Sequence, residues 1–150
     1  MLQSRRWTDE SGSASLEFIT AGLVLLVPIV YLVVALSTLQ AASLAVEGAA
    51  RQATRVFVQS ASIAQARAAT ADAIEVTLAD YGVDAGAAIV QVTCRPAPTA
   101  CLTRRGFVTI TVRTTVPLPL MPPFLNLGLP AGLPVEATAT EQVSRFWGAQ

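Results

Sequence analysis

The chain has 150 residues, 53% hydrophobic and 13% charged, with ten arginines, no lysine, no histidine and ten acids that bring the formal charge to zero. Soluble domains of this size carry about 25% charged residues, so part of this apolar content is predicted to sit in lipid or against other subunits. Without histidine or lysine there is no Ser-His or Cys-His couple, no imidazole metal ligand, no Schiff base and no P-loop lysine. Balanced charge argues against a nucleic-acid binder, and two cysteines are too few for a structural zinc site. No enzymatic activity, cofactor or metal is expected.

The apolar excess begins near the N-terminus. Phe18 to Leu39 reads FITAGLVLLVPIVYLVVALSTL, and no charge occurs from Phe18 until Glu47. As a helix this run is about 33 Å long, enough to cross the hydrocarbon core of a bilayer. Pro28 removes one backbone bond, to the carbonyl of Val24, and is predicted to bend or loosen the helix. The alternatives are a buried core helix and a cleaved export signal. Export signals have an apolar region of about 7–15 residues, shorter than this one. Asp9 and Glu10 directly before the run are atypical of them, and Trp7-Thr8 after Arg5-Arg6 is a poor twin-arginine continuation. Arginines flank the run on both sides at similar distance, Arg5 and Arg6 before it and Arg51 and Arg55 after it, so charge alone does not orient it.

The junction before the run reads Gly12-Ser13-Ala14-Ser15-Leu16-Glu17-Phe18. A glycine, a glutamate five residues on and an aromatic, at the mouth of a membrane span, resemble the processing site of type IV pilin-like proteins. More narrowly, the chain resembles the TadE-like (TadE/TadF) minor pilins, or pseudopilins, of the tight-adherence (Flp) pilus system. The small-Ala-Arg stretch Glu47-Gly48-Ala49-Ala50-Arg51-Gln52-Ala53 extends the likeness, which carries motif content over about residues 12–53. A serine after the glycine and a cysteine pair depart from that pattern.

The resemblance implies removal of a leader, residues 1–12, by a prepilin peptidase that cuts between Gly12 and Ser13. It implies that Glu17, then fifth in the mature chain, and Phe18 act in assembly, the acid meeting the new amine of a neighbour's Ser13. The implied partners are the peptidase, other pilins or pseudopilins, the Tad-type inner-membrane machinery and membrane lipid, with no nucleic acid. The implied layout is a transmembrane helix over 13–40, a helical stalk over 41–82 and an extracytoplasmic β-rich domain over 83–150, with a proline-rich connection at 117–134. If Cys94 and Cys101 are bridged, the C-terminal part lies in an oxidising compartment and the N-terminus is cytoplasmic; the chain would stay in the cell membrane or enter a pilus. Without that resemblance, Glu17 decorates the helix N-terminus, where the dipole favours an acid by about 0.3–1 kcal/mol.

Gln40 to about Tyr81 is alanine-rich and free of proline, which favours helix. Apolar residues at Val46, Ala50, Ala53, Phe57, Ala64, Ala71, Ile74, Leu78 and Tyr81 recur mostly at steps of 3, 4 or 7, with Ser60 and Arg67 interrupting. Either one long helix results, or two with a break near Ser60–Ser62. Ala41, Ala45, Ala49 and Ala53 form a four-spaced small ridge. It is either an accident of composition or a close helix–helix contact, within the protomer or between subunits.

The last third alternates in period two at Val90–Cys94, Val108–Val116 and Val135–Thr140, the pattern of half-buried strands. The fold class expected is α+β: an N-terminal transmembrane helix continues into a long alanine-rich helix packed on a small antiparallel sheet of about three strands. Cys94 and Cys101 flank the first turn. In an oxidising compartment they are expected to bridge, closing a short loop worth about 2.5 kcal/mol; elsewhere they are two small thiols.

Pro117 to Pro134 reads PLPLMPPFLNLGLPAGLP, whose prolines exclude a regular helix or central strand. It either tucks over the core or presents an apolar patch to a neighbour or bilayer. Phe146 and Trp147 either sit at a membrane interface or cap the core. Asp80, Asp84, Arg104 and Arg105 read as solvated turn residues. The contrasting function is a single-pass anchor presenting an extracytoplasmic binding module unrelated to pili.

Overall fold

The computed structural model describes residues 11–117 and 132–148, and for residues 11–13 the backbone alone. Helix α1 (Ser11–Gln59) is followed by α2 (Ile63–Asp80) and a 3-10 turn at Ala85–Ala87. Strands β1 (Ile89–Arg95), β2 (Phe107–Val116) and β3 (Leu133–Gln142) complete the chain. This is the expected α+β arrangement, a long apolar N-terminal helix with a second helix and a three-stranded antiparallel sheet. The chain divides into two compact units, Met1–Leu36 and Ser37–Gln150.

The helical stretch breaks where the serines lie. At the end of α1, Ser60 donates its hydroxyl to the Val56 carbonyl at 2.8 Å. Ser62 then caps α2: its oxygen accepts from Gln65 N at 3.2 Å, while the Gln65 side chain accepts from Ala61 N at 3.3 Å. Reciprocal bonds of this kind satisfy the free donors of a helix start, so three residues suffice to end one helix and begin the next.

The break shifts the phase of the buried stripe. In α1, Ala42, Ala45, Val46, Ala49, Ala50, Ala53 and Phe57 are buried, as the spacing predicts for Val46, Ala50, Ala53 and Phe57. In α2 the buried row is Ala66, Thr70, Ile74 and Leu78. Ala64 and Ala71, expected in the stripe, are exposed, and Tyr81 is 47% exposed. A single helical frame carried through Ser60–Ser62 assigns those positions to the wrong face, because each helix sets its own phase at its own cap.

Three of the four ridge alanines pack inside the chain, and Ala41 is half-buried. Ala45, Ala49 and Ala53 are fully buried. A Cβ on Gly48 would stand 3.4 Å from the Thr77 methyl of α2, and the Thr70 hydroxyl of α2 lies 3.5 Å from the Ala53 carbonyl. Small side chains let the two backbones approach closely enough for these contacts.

The sheet order is β1-β2-β3. The register pairs Val92 with Ile110 and Ile110 with Ala139, so these face the helices together. Val108, Ile110 and Val112 of the central strand are fully buried. The opposite face is polar, with hydroxyl pairs Thr109–Thr140 at 2.8 Å and Thr111–Thr138 at 3.0 Å and an Arg113–Glu136 ion pair. β1 departs from the half-buried expectation: only Cys94 is buried, while Val90 and Val92 on the core face are 41% and 39% exposed.

β3 begins within the segment expected to be a connection, at Leu133. Pro134 is accommodated because β3 is an edge strand, where a missing N–H costs no ladder bond. Gly132 precedes it where a Cβ would meet the Val116 carbonyl oxygen at 2.4 Å, so only glycine lets the chain re-enter beside β2. The docking of the proline-rich connection falls on residues 118–131 and lies outside the described residues.

Candidate functional site

The described part of the first unit is a helix with a largely apolar, exposed surface. From Ala14 to Val30 each residue is exposed, including Leu16 at 68% and Phe18 at 80%. None of its most apolar window is buried, and the helix is long and apolar enough to cross a membrane once. A core helix is hidden on at least one face, so the buried-helix alternative fails for these residues. α1 continues through Pro28 without interruption. In the same helix the Thr20 hydroxyl donates to the Leu16 carbonyl at 2.8 Å, keeping its own polarity satisfied inside an apolar surface.

The proposed processing residues stand at the head of this helix. Gly12 and Ser13 lie within α1, which is described from Ser11 onward. The helix extends at least back to Ser11, so Glu17 lies six or more residues into it in the uncut chain, beyond the reach over which the helix dipole acts strongly. Decoration of the helix N-terminus is thus a weak account of it. Glu17 is exposed, between Leu16 and Phe18, and is the only charged residue from Ser11 to Val46. Ser13 and Glu17 are four residues apart on α1.

The cysteines are brought together at the β1–β2 turn. Cys94 and Cys101 form a disulfide with Cα atoms 5.1 Å apart. Arg104 and Arg105 follow it. The Arg104 Nε donates to the Trp147 carbonyl at 2.8 Å, so Arg104 is a tie to the C-terminal segment as well as a turn residue. Arg105 holds a positive φ of 60°. Trp147 packs against the core and donates its indole N–H to Ser60, which assigns it to core capping, whereas Phe146 is 67% exposed. Asp84 caps the 3-10 turn, accepting from Gly86 N at 2.9 Å, and Asp80 is exposed.

Two features of the second unit are not legible from residue spacing. One is a cavity of ≈ 590 Å³ where α1 enters the unit, lined by Ser37, Ala41, Ala42, Tyr81, Val83 and Val116 among others. The other is a groove of ≈ 590 Å³ between α2, the 3-10 turn and β1, lined by Ile74, Glu75, Val83, Asp84, Ala88 and Val90. Their residues are scattered along the chain and meet only once the strand order is known. Among the described residues no group of three or more His, Cys, Asp or Glu side chains is placed to hold a metal ion. Comparison with protein-family models, with curated proteins and with solved structures returns no match to this chain.

Proposed function

We propose that this chain is a TadE-like minor pilin, or pseudopilin, of a Flp/Tad-type pilus system. A prepilin peptidase cuts it between Gly12 and Ser13, and the mature chain acts in pilus assembly without catalysing a reaction. One observation carries the reading: a single helix, Ser11–Gln59, holds the Gly12–Glu17 element at its head, an apolar stretch in its first unit and the core of the extramembrane domain in its second. A wholly exposed apolar surface interrupted by one acid needs lipid before assembly and other subunits after it.

In this reading the leader and Phe18–Leu39 hold the chain in the cell membrane, N-terminus cytoplasmic. Cys94–Cys101 supports an oxidising compartment for the C-terminal domain, since such bonds persist there. The cut gives Ser13 an α-amine close enough in register to pair with Glu17 of its own chain or of a neighbour. The partners are the peptidase, other pilins or pseudopilins and the Tad-type inner-membrane machinery.

Sequencing the N-terminus of the mature protein tests this reading. Ser13 as the first residue supports it. An intact chain from Met1 indicates a single-pass anchor with an extracytoplasmic binding module, and a terminus beyond residue 35 indicates a secreted protein.

A further inference from the structure

Unpaired charge in the second unit is unevenly spread over its surface. Among the described residues two ion pairs form, Arg51 with Glu47 and Arg113 with Glu136. Of the charges left over, Arg95, Arg104, Arg105 and Arg145 stand at the β1–β2 turn and the C-terminal segment, and Arg55 lies on α1 five residues before Ser60. That turn and segment are knitted by Arg105 N donating to the Val143 carbonyl, Arg104 to the Trp147 carbonyl and Trp147 to Ser60. Glu141 is the one acid there among the described residues. Asp72, Glu75, Asp80 and Asp84 lie instead on the later part of α2 and before the 3-10 turn. Arg67 precedes Asp72 by five residues on that helix.

The acidic side has a groove and the basic end a projecting ring. The groove between α2 and β1 is floored by Ile74, Val83, Ala88 and Val90 and rimmed by Glu75 and Asp84. Val90 stays 41% exposed there although it points to the core face. At the other end Phe146 projects, with the Arg145 guanidinium 4.6 Å from its ring centroid. A phenyl ring with a cation beside it matches an apolar groove with carboxylates on its rim. Ring burial supplies the apolar term, and the charges set the orientation.

We propose that copies of this chain associate head to tail, the Arg145–Phe146 end of one seated in the α2–β1 groove of the next. Groove against groove would oppose acids, and end against end would oppose arginines, so only the unlike pairing is favourable. A foreign partner of either charge would match one of these surfaces, whereas a second copy matches both. Each copy uses one surface and leaves the other free, so the contact propagates instead of closing. This goes beyond the pilin reading and holds whether or not the chain is cut.

The test uses the full chain in a neutral detergent, followed by sedimentation at about 0.01 M and about 1 M salt, where charges act over about 30 Å and about 3 Å. Concentration-dependent association at low salt is expected, weakened about tenfold or more at high salt. Phe146→Ser, Arg105→Glu with Arg145→Glu, and Asp72→Arg with Glu75→Arg should each sediment as single copies. All of these positions are exposed, and the Asp84 cap is untouched. Mixing the two charge-reversed proteins should restore association, because each then carries the complement of the other. A wild type that stays single at low salt overturns the proposal. So does association that survives in all variants, which would place it in the apolar helices, or a mixture that stays single.

Discussion

The indole nitrogen of Trp147 donates to the carbonyl of Ser60 at 2.9 Å, joining the C-terminal segment to the point where α1 ends. Carbonyls at a helix C-terminus lack intrahelical donors, so this bond fills a vacancy that the break at Ser60 creates. Trp147→Phe keeps a ring against the core and leaves the carbonyl without its partner, costing about 1–3 kcal/mol. Trp147→Ala also loses the packing and should cost more. Thermal unfolding of the full chain in detergent should rank wild type above Phe above Ala. Equal melting of wild type and Trp147→Phe would show that the bond contributes nothing.

The Cys94–Cys101 bridge closes a short loop, and a chain-entropy argument gives it about 2.5 kcal/mol. Alkylation of the unfolded chain should add nothing without reductant and two adducts after reduction, read by intact mass. Cys94→Ala with Cys101→Ala should melt at lower temperature than the oxidised wild type. Two adducts without reductant would place the domain in a reducing compartment and remove the support the bridge gives to export.

Much of the architecture was legible because its signals are local. An apolar run without charge from Phe18 to Val46, serines at 60 and 62, and β-branched alternation through Val108–Val116 each act within a few residues. On α2 the burial of Ile74 and Leu78 was legible, but that of the alanines was not, since Ala64, Ala66 and Ala71 are the same residue type and only the Ser62 cap decides which faces the core. Exposure of Val90 and Val92 was not legible either, because their alternation is that of a covered strand and the cover is absent at the edge. Gly12, Ser13 and Glu17 were legible as an element preceding the apolar run, and the structure places all three within α1. The groove beside Glu75 and the cluster around Arg145 depend on which elements become neighbours, which no spacing encodes.

The phase of α2 makes two similar substitutions behave differently. Ala66 is fully buried, so Ala66→Leu forces extra methylenes into a packed core and should cost about 1–3 kcal/mol. Ala64→Leu adds the same atoms on the exposed face and should change stability by no more than about 0.5 kcal/mol. Denaturant unfolding followed by far-UV circular dichroism separates the two. The reverse order would mean that α2 is rotated from the phase its cap defines.

Glu17 offers the sharpest separation between the pilin and anchor readings. In the pilin reading the acid is kept because assembly pairs it with a new Ser13 amine, a charge-assisted bond that an amide cannot match. Glu17→Gln preserves size and helix propensity and removes only the charge. It should leave cleavage after Gly12 intact, since the cut depends on the residues around the glycine. It should not hinder residence in the membrane, because a carboxylate moved to mid-bilayer costs about 2.5–3.5 kcal/mol and the amide relieves that. Co-isolation with other pilins should nonetheless fall to background, read by affinity capture of a tagged chain from detergent-solubilised membranes. Wild-type co-isolation of Glu17→Gln would reduce the acid to an ordinary polar residue at the head of an anchor. Loss of cleavage together with loss of co-isolation would instead place Glu17 in peptidase recognition, upstream of assembly.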